Sequence, residues 1–365
     1  DAGLASQKGP HVAKAGIIGL DLGTTHVRAA EVQFGSGGPS STSTPTLVRY
    51  GEVALPPGAV RDGEVEDQGT VGAALRRLWS EAKFGSRDVN IGVGNQRVVV
   101  RELDLPWMPL PQIRASLPYQ VQELLPMSTD EALLDYYPTG ELDSPTGRLV
   151  HGMLVAATRD TVSANVLAVE GAGLRPQMVD LNPFALMRAV VRGDLLQRTV
   201  AVVDIGARVT QVVIAAHGMP QFVRMLPSGG QNVTDAVASA LSIAAPDAEN
   251  VKREVGIGFA VGPDLQIAAE AVNAVVRPLI EAIRNTFVYY AGNHPGAGID
   301  VVVLTGGGSH LPGLGQYLSS ASRLAVTLGD PLSNVKVGKG LPADQLARQS
   351  SFLALSLGLA YGVAA

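Results

Sequence analysis

The sequence predicts an α/β protein of two similar lobes, and three observations carry that expectation. An apolar strand ending in Asp-x-Gly occurs twice, at Asp21-Leu22-Gly23 and at Asp204-Ile205-Gly206, each time followed by a tight turn and a second apolar strand. A third apolar strand, residues 301–304, runs into Thr305-Gly306-Gly307-Gly308-Ser309. Finally, 365 residues with 46% hydrophobic and 17% charged side chains are enough for several buried cores. The same balance excludes a disordered chain.

Each element follows in order. Residues 17–21 and 27–32 are β-rich runs around a short turn, the pattern of a hairpin. Residues 35–45, rich in Gly, Ser, Thr and Pro, read as a flexible loop before a strand at 47–55, which Pro56-Pro57-Gly58 turns. Val71, Leu75, Leu78 and Ala82 share one face of a helix over 70–84, with Thr70 as its cap. From residue 88 the texture changes. Strands at 89–93 and 97–105 precede a proline-punctuated break and a helix over 112–125. Strands at 133–138 and 148–158, a polar turn at 141–147 and a helix at 160–171 complete a stretch of some 90 residues. This stretch reads as a small sheet with helices, inserted into a larger domain. The second half has strands at 199–205 and 210–216, helices at 232–242, 248–256 and 267–290, the strand at 301–304, and helices at 313–320 and 350–361.

Several chemistries are excluded directly. Without cysteine there is no disulfide, thiolate nucleophile or Cys-ligated metal. A net charge of -5 gives no electrostatic footprint for nucleic acid or anionic lipid. None of the six lysines precedes Ser or Thr, so there is no Walker A loop, and neither G-x-S-x-G nor H-E-x-x-H occurs. His151, His217, His294 and His310 are scattered and read as packing or surface residues. Residues 1–15 have no apolar core of a signal peptide and are expected to be a disordered leader or a non-native remnant. The apolar run at 352–365 is shorter than the ~20 residues that span a bilayer, so it is expected to be a buried terminal helix. A cytoplasmic location follows as the default expectation.

The chemistry that remains is carried by carboxylates, hydroxyls and backbone amides. At an Asp-x-Gly turn, glycine lets backbone amides approach an anion closely, Thr24 and Thr25 add hydroxyls, and the aspartate offers a hard oxygen to Mg²⁺. Two such turns facing each other across a cleft would clamp a triphosphate. Gly306, Gly307 and Gly308 would let the rest of a nucleotide lie against bare backbone.

These residues, in this order, resemble the phosphate 1, phosphate 2 and adenosine motifs of the actin, Hsp70 and sugar-kinase superfamily. Within it the chain from residue 16 onward is similar to the PilM family, actin-like proteins of the type IV pilus inner-membrane platform and relatives of the division protein FtsA. Supporting stretches are Leu55-Pro56-Pro57-Gly58-Ala59-Val60, Val179-Asp180-Leu181-Asn182-Pro183-Phe184-Ala185, Gly229-Gly230, and Glu249 with Lys252. The resemblance implies an actin/Hsp70-like (ribonuclease H-like) two-lobed nucleotide-binding fold with an FtsA-type 1C subdomain insertion. Subdomain 1A would comprise 16–87, 177–198 and 337–365; 1C, 88–176; 2A, 199–228 and 300–336; 2B, 229–299.

The resemblance further implies ATP and Mg²⁺ as cofactors, with Asp21 and Asp204 acting on the metal, directly or through water. Gly23, Thr24, Thr25, Gly206 and Thr210 would line the phosphates, with Arg28 standing where many relatives carry a Lys that reaches the β-phosphate. Glu249 and Lys252 would flank ribose and adenine. Asp180 or Asn182 would position the attacking water, but Asn182 stands where relatives often have Glu and cannot take a proton, so turnover is expected to be slow or absent. The implied partners are the N-terminal cytoplasmic peptide of PilN, in a groove between 1A and 1C, and other platform and motor proteins, with homo-oligomers open. Strand 98–105 and helix 113–125 would offer apolar pockets to that peptide, or simply form the core of their own subdomain. The membrane would be reached through the partner, since 352–365 holds no basic residue. Two other readings stay open: a sugar- or acetate-type kinase of the same superfamily, and an FtsA-like filament protein.

Overall fold

Two sheets end side by side at one crevice, because strands with period-two or continuous apolar patterns pair first with their hairpin partners and then in parallel across helices. The computed structural model describes residues 16–362 apart from Thr42 and Thr146. The expected leader at 1–15 and the last three residues of the expected terminal helix lie outside the described residues.

The first lobe begins with β1 (Ile17–Leu22), β2 (His26–Gln33), β3 (Thr46–Ala54), the short pair β4 (Val60–Arg61) and β5 (Glu64–Val65), α1 (Gln68–Ala82) and β6 (Asp88–Val93). There follow β7 (Val98–Pro106), α2 (Leu110–Gln120), β8 (Ala132–Ser144), β9 (Gly147–Thr158), α3 (Arg159–Gly171), β10 (Arg175–Leu181) and α4 (Asn182–Val190). The second lobe has β11 (Thr199–Ile205), β12 (Thr210–Ala216), β13 (Met219–Leu226), α5 (Gly230–Leu241), α6 (Ala245–Val255), α7 (Gln266–Asn293), β14 (Val301–Thr305), α8 (Leu314–Ser322) and β15 (Val326–Leu328). The chain then returns to the first lobe through β16 (Lys336–Val337), α9 (Ala343–Arg348) and α10 (Ala354–Ala360).

The first sheet has the order β10-β6-β1-β2-β3-β16 and the second the order β13-β12-β11-β14-β15. β1, β6 and β10 run parallel, as do β11, β14 and β15, so their C-terminal ends point the same way within each sheet. Helices α5 and α7 cover one face of the second sheet over a core that includes Val203, Val237, Ile280 and Leu304. α1 and α3 cover one face of the first over Leu20, Leu75, Ile91 and Val169, and α10 covers the other over Ala30, Leu357 and Ala360.

Three expectations need correction. Thr70 is not the cap of α1. Asp67 is, accepting hydrogen bonds from the Thr70 backbone N–H at 3.0 Å and hydroxyl at 2.6 Å, because a helix begun two residues earlier still keeps its apolar face inward. The helix stops at Ala82 since Lys83 turns left-handed, with φ 55°. The insertion is also narrower than 88–176. β6 and β10 are strands of the first sheet and α3 packs on α1, so the inserted module is the sheet β7-β9-β8 with α2. Strands β10 and β13 are missing from the sequence reading; β10 alternates exposed residues (Arg175, Gln177, Val179) with half-buried ones and lacks a continuous apolar run.

One face of the inserted sheet carries Val98, Met153 and Ala157 into a core shared with Phe184 of α4 and Val223 of β13. The insertion therefore leans on both lobes. Its other face closes over α2 through Leu105, Ile113, Leu117 and Tyr136. Most of the apolar positions in strand 98–105 and helix 113–125 are thus its own core, while Trp107, Tyr119 and Leu124 remain exposed.

Candidate nucleotide cleft

The two Asp-x-Gly turns are built alike. Gly23 N–H donates to the His26 carbonyl at 3.0 Å, and Gly206 N–H donates to the Val209 carbonyl at 3.0 Å, so each strand reverses over four residues directly after its aspartate. A β-carbon at either glycine would sit 2.8 Å from that same carbonyl, so only glycine fits the turn.

The structure brings Asp21 and Asp204 together from opposite lobes. Burial pushes the Asp21 carboxyl up to about 6, with the Arg28 guanidinium pulling the other way. Asp204 is pushed further, to about 7, first by burial and then by the negative charge of Asp21, again against Arg28. Two buried carboxylates, both raised and one of them by the charge of the other, are a site short of positive charge. Arg28 supplies part of it: Nη1 lies 3.9 Å from Asp21 Oδ2, Nε donates to Glu52 Oε2 at 3.0 Å, and its Cζ sits 5.2 Å from the Phe352 ring centre. Arg28 therefore lies beside the first aspartate, with its side chain mostly buried.

The third motif completes the wall. Gly306 has φ 79°, and a β-carbon there would lie 2.6 Å from Asp204 Oδ1; Gly308 would meet Ile205 at 2.4 Å. Gly307 lies against Phe352, which stacks on His310. The Thr305 hydroxyl donates to the Ser351 carbonyl at 3.0 Å, so the segment that returns to the first lobe is pinned to this loop. Gly229 and Gly230 close in from α5, where Gly230 N–H donates to Gly206 O and Gln231 N–H to Ala207 O, both at 2.8 Å.

Glu249 and Lys252 sit next to this wall. Lys252 is buried, with Nζ 2.5 Å from Glu249 Oε2 and donating to Thr234 Oγ1 at 3.0 Å and Gly230 O at 3.2 Å. Burial works to raise the Glu249 carboxyl, but bonds from Lys252, Thr234 and Arg253 outweigh it and hold the group below its usual range. Lys252 Nζ lies 3.9 Å from the β-carbon position of Gly230, which is itself 3.5 Å from Gly308. The sequence-predicted pair is thus at the glycine wall, as a braced ion pair.

Two of the predicted site residues are engaged by other groups. Asp180 is consumed: Oδ2 pairs with Arg188, and Oδ1 accepts from the Leu181 N–H at 2.8 Å, so it is not free to position water. Thr210 is fully buried and donates its hydroxyl to Ser228 O at 2.7 Å, which braces the following loop instead of lining a phosphate. Thr24 and Thr25 stay half-buried at the first turn. Arg208 pairs with Asp235 at 2.6 Å.

Asn182 opens α4 beside the C-terminal end of β6, and its Oδ1 is buried without a hydrogen-bond partner. Gln211, which the sequence reading passed over, has an equally orphaned Oε1. Both crowd Gly94, where a β-carbon would lie 2.6 Å from Gln211 Oε1 and 2.7 Å from Asn182 Cβ. Two lobes therefore meet at two unpaired amides. The available signal was a long amide side chain ahead of the apolar run Val212–Ala216 in β12.

A nucleotide with a divalent cation fits these residues. The carboxylates are raised, the amide oxygens are orphaned, and side chains are excluded at Gly23, Gly206 and Gly306. Among the described residues no group of three or more His, Cys, Asp or Glu could hold a metal alone. Two carboxylates plus ligand oxygens is the arrangement Mg²⁺ usually takes.

Residues 19–362 match the family model described as type IV pilus assembly protein PilM. The chain belongs to the PilM family. A chain from a solved PilM-PilN type IV pilus biogenesis complex is similar over 95% of this chain and 98% of its own length, at 27% identity and a TM-score of 0.81. MreB5 of Spiroplasma citri bound to AMPPNP shares the fold over 94% of this chain and 95% of its own, at 14% identity and a TM-score of 0.53. The cell division protein FtsA of Bacillus subtilis is 20% identical over 266 residues, 66% of this chain and 58% of FtsA. FtsA of Escherichia coli K12 is 26% identical over 210 residues, 49% of each. The chain thus spans about half the length of these FtsA relatives. Among the described residues no helix of this family member is long and apolar enough to cross a membrane.

Proposed function

We propose that this protein is an ATP-binding scaffold of the type IV pilus platform, whose cleft takes ATP with Mg²⁺ and whose inserted module presents a groove to the N-terminal peptide of PilN. The observation that carries the nucleotide reading is the convergence of Asp21 and Asp204, both buried and both raised, at the ends of β1 and β11. Asp21 and Asp204 would hold the metal, which on binding supplies the positive charge both carboxylates and a triphosphate need. The turn amides at Gly23 and Gly206, with Thr24, Thr25 and Arg28, would hold phosphate oxygens, while Gly306, Gly307 and Gly308 with Glu249 and Lys252 would border ribose and base. Asn182 and Gln211 can orient a water between the lobes but cannot take its proton. Slow or absent turnover follows.

Cleft closure can reach the inserted module because that module touches both lobes. Glu102 of β7 meets His294 at the end of α7, with Nε2 3.1 Å from Oε1, and β7 packs near β13 through the shared core. A nucleotide that draws the lobes together would therefore shift the module against the first lobe, where an extended peptide would dock. Attachment to the membrane would come through that peptide's protein.

Calorimetric titration of ATP tests the first half: binding in Mg²⁺ should weaken strongly in EDTA and in Asp21→Ala, and equal affinity in all three would remove the metal assignment. For the second half, the PilN peptide should bind more tightly with ATP present. Identical peptide affinity with and without nucleotide would break the coupling, since a ligand without differential affinity shifts no equilibrium.

A further inference from the structure

Away from the cleft, a cavity of about 390 Å³ lies where the end of α4 meets the loop after β2 and the turn between β12 and β13. Of the residues described at the cleft, Arg188, the partner of Asp180, also lines it. Its walls are apolar at Met187, Val191 and Leu196, and polar at Thr44 and Asn334, with Arg192 among the residues that line it.

Arg192 is fixed on two sides. Its Cζ stacks 3.8 Å from the centre of the Tyr361 ring, and its Nε donates to the Arg188 carbonyl at 2.7 Å. Among the described residues its two terminal amino groups have no acceptor and no carboxylate pairs with it. The neighbouring Arg188 is different, because Asp180 neutralises it. Summing Arg188, Arg192 and Asp180 leaves one positive charge, kept against burial and against the like charge of Arg188. An arginine held flat, half-buried and unpaired is a preformed fork for a planar pair of oxygens. Leaving such a charge unpaired costs stability, which a ligand would recover.

We propose that this cavity binds an organic monoanion with two equivalent oxygens, a carboxylate or a phosphodiester, on the amino groups of Arg192, its apolar part against Met187, Val191 and Leu196. A single net charge matches a monoanion better than a phosphate dianion. The cavity is also much larger than a bare ion, and its apolar wall suits an organic body. This site is independent of the nucleotide reading and stands whether or not ATP binds.

The experiment uses the full chain with ¹⁵N-labelled arginine. The Arg192 Nε–Hε signal is followed by NMR during titration with butyrate and, separately, diethyl phosphate, at constant ionic strength in chloride. A saturable shift of this signal is expected; response to both anions supports the shared oxyanion chemistry, and response to one alone identifies the source. In Arg192→Lys, which keeps a cation over Tyr361 but loses the fork, affinity read from the Tyr361 ring signals should fall about tenfold. No saturable shift with either anion overturns the proposal. Equal affinity in wild type and Arg192→Lys overturns it too, since a point charge would then suffice.

Discussion

The two Asp-x-Gly turns share a sequence pattern and a hydrogen bond, yet they sit in different electrostatic surroundings. At the first, Asp21 has Arg28 at 3.9 Å, and its carboxyl is raised only to about 6. At the second, the nearest arginine in sequence, Arg208, turns away to Asp235 and leaves Asp204 facing Asp21, with its carboxyl raised to about 7. Backbone geometry was copied between lobes and charge environment was not. A turn motif fixes where a carboxylate is placed; its neighbours from other elements fix how much it needs a cation.

The largest test of this contrast is pH. Both carboxyls titrate higher in the folded chain than the ~3.9 of an unfolded aspartate, so between pH 4 and 7 the folded state holds more protons. Stability of the ligand-free protein should therefore fall as pH rises through that window, by roughly 7 kcal/mol for the pair at ~1.4 kcal/mol for each pH unit by which a carboxyl is raised, and level off above it. In thermal melts across pH, Asp204→Asn should flatten the upper part of the window and Asp21→Asn the lower part. If both variants flatten the same interval, the asymmetry is broken.

Next comes metal-nucleotide binding. Asp204→Ala and Asp21→Ala should each weaken ATP in Mg²⁺ by roughly 100-fold, about 2.7 kcal/mol, as read by calorimetry. Loss at one position alone would replace the two-carboxylate site with a single ligand. A smaller and symmetric effect is expected from the glycines: Gly23→Ala and Gly206→Ala meet the same kind of carbonyl at the same 2.8 Å, so each should cost ~1 kcal/mol in denaturant melts. Unequal costs would mean that the turns are not equivalent in backbone either. Smallest of all, Arg208→Met removes only an ion pair at the surface and should change stability by less than about 0.5 kcal/mol and ATP affinity hardly at all. A tenfold loss of affinity would bring Arg208 back to the phosphates.

The sequence read alone determined the repeated strand–turn–strand units, the glycine wall and the identity of both acidic residues. These are local: a glycine at a four-residue turn and an aspartate at a strand end need only near neighbours in the chain. It also showed an amide, Asn182, where relatives often have Glu. What it left undetermined depends on partners far along the chain. Asp180 looks like a candidate beside Asn182 until Arg188 and the returning C-terminal segment are placed against it. Thr210 looks like a phosphate-binding hydroxyl until Ser228 meets it. Gln211 looks like an ordinary strand residue until Gly94 and Asn182 arrive from the other lobe. Tertiary structure alone decided these cases, because a polar group's role depends on which donor, acceptor or charge lies within about 3 Å of it, and in a two-lobed fold that neighbour usually comes from a distant part of the chain.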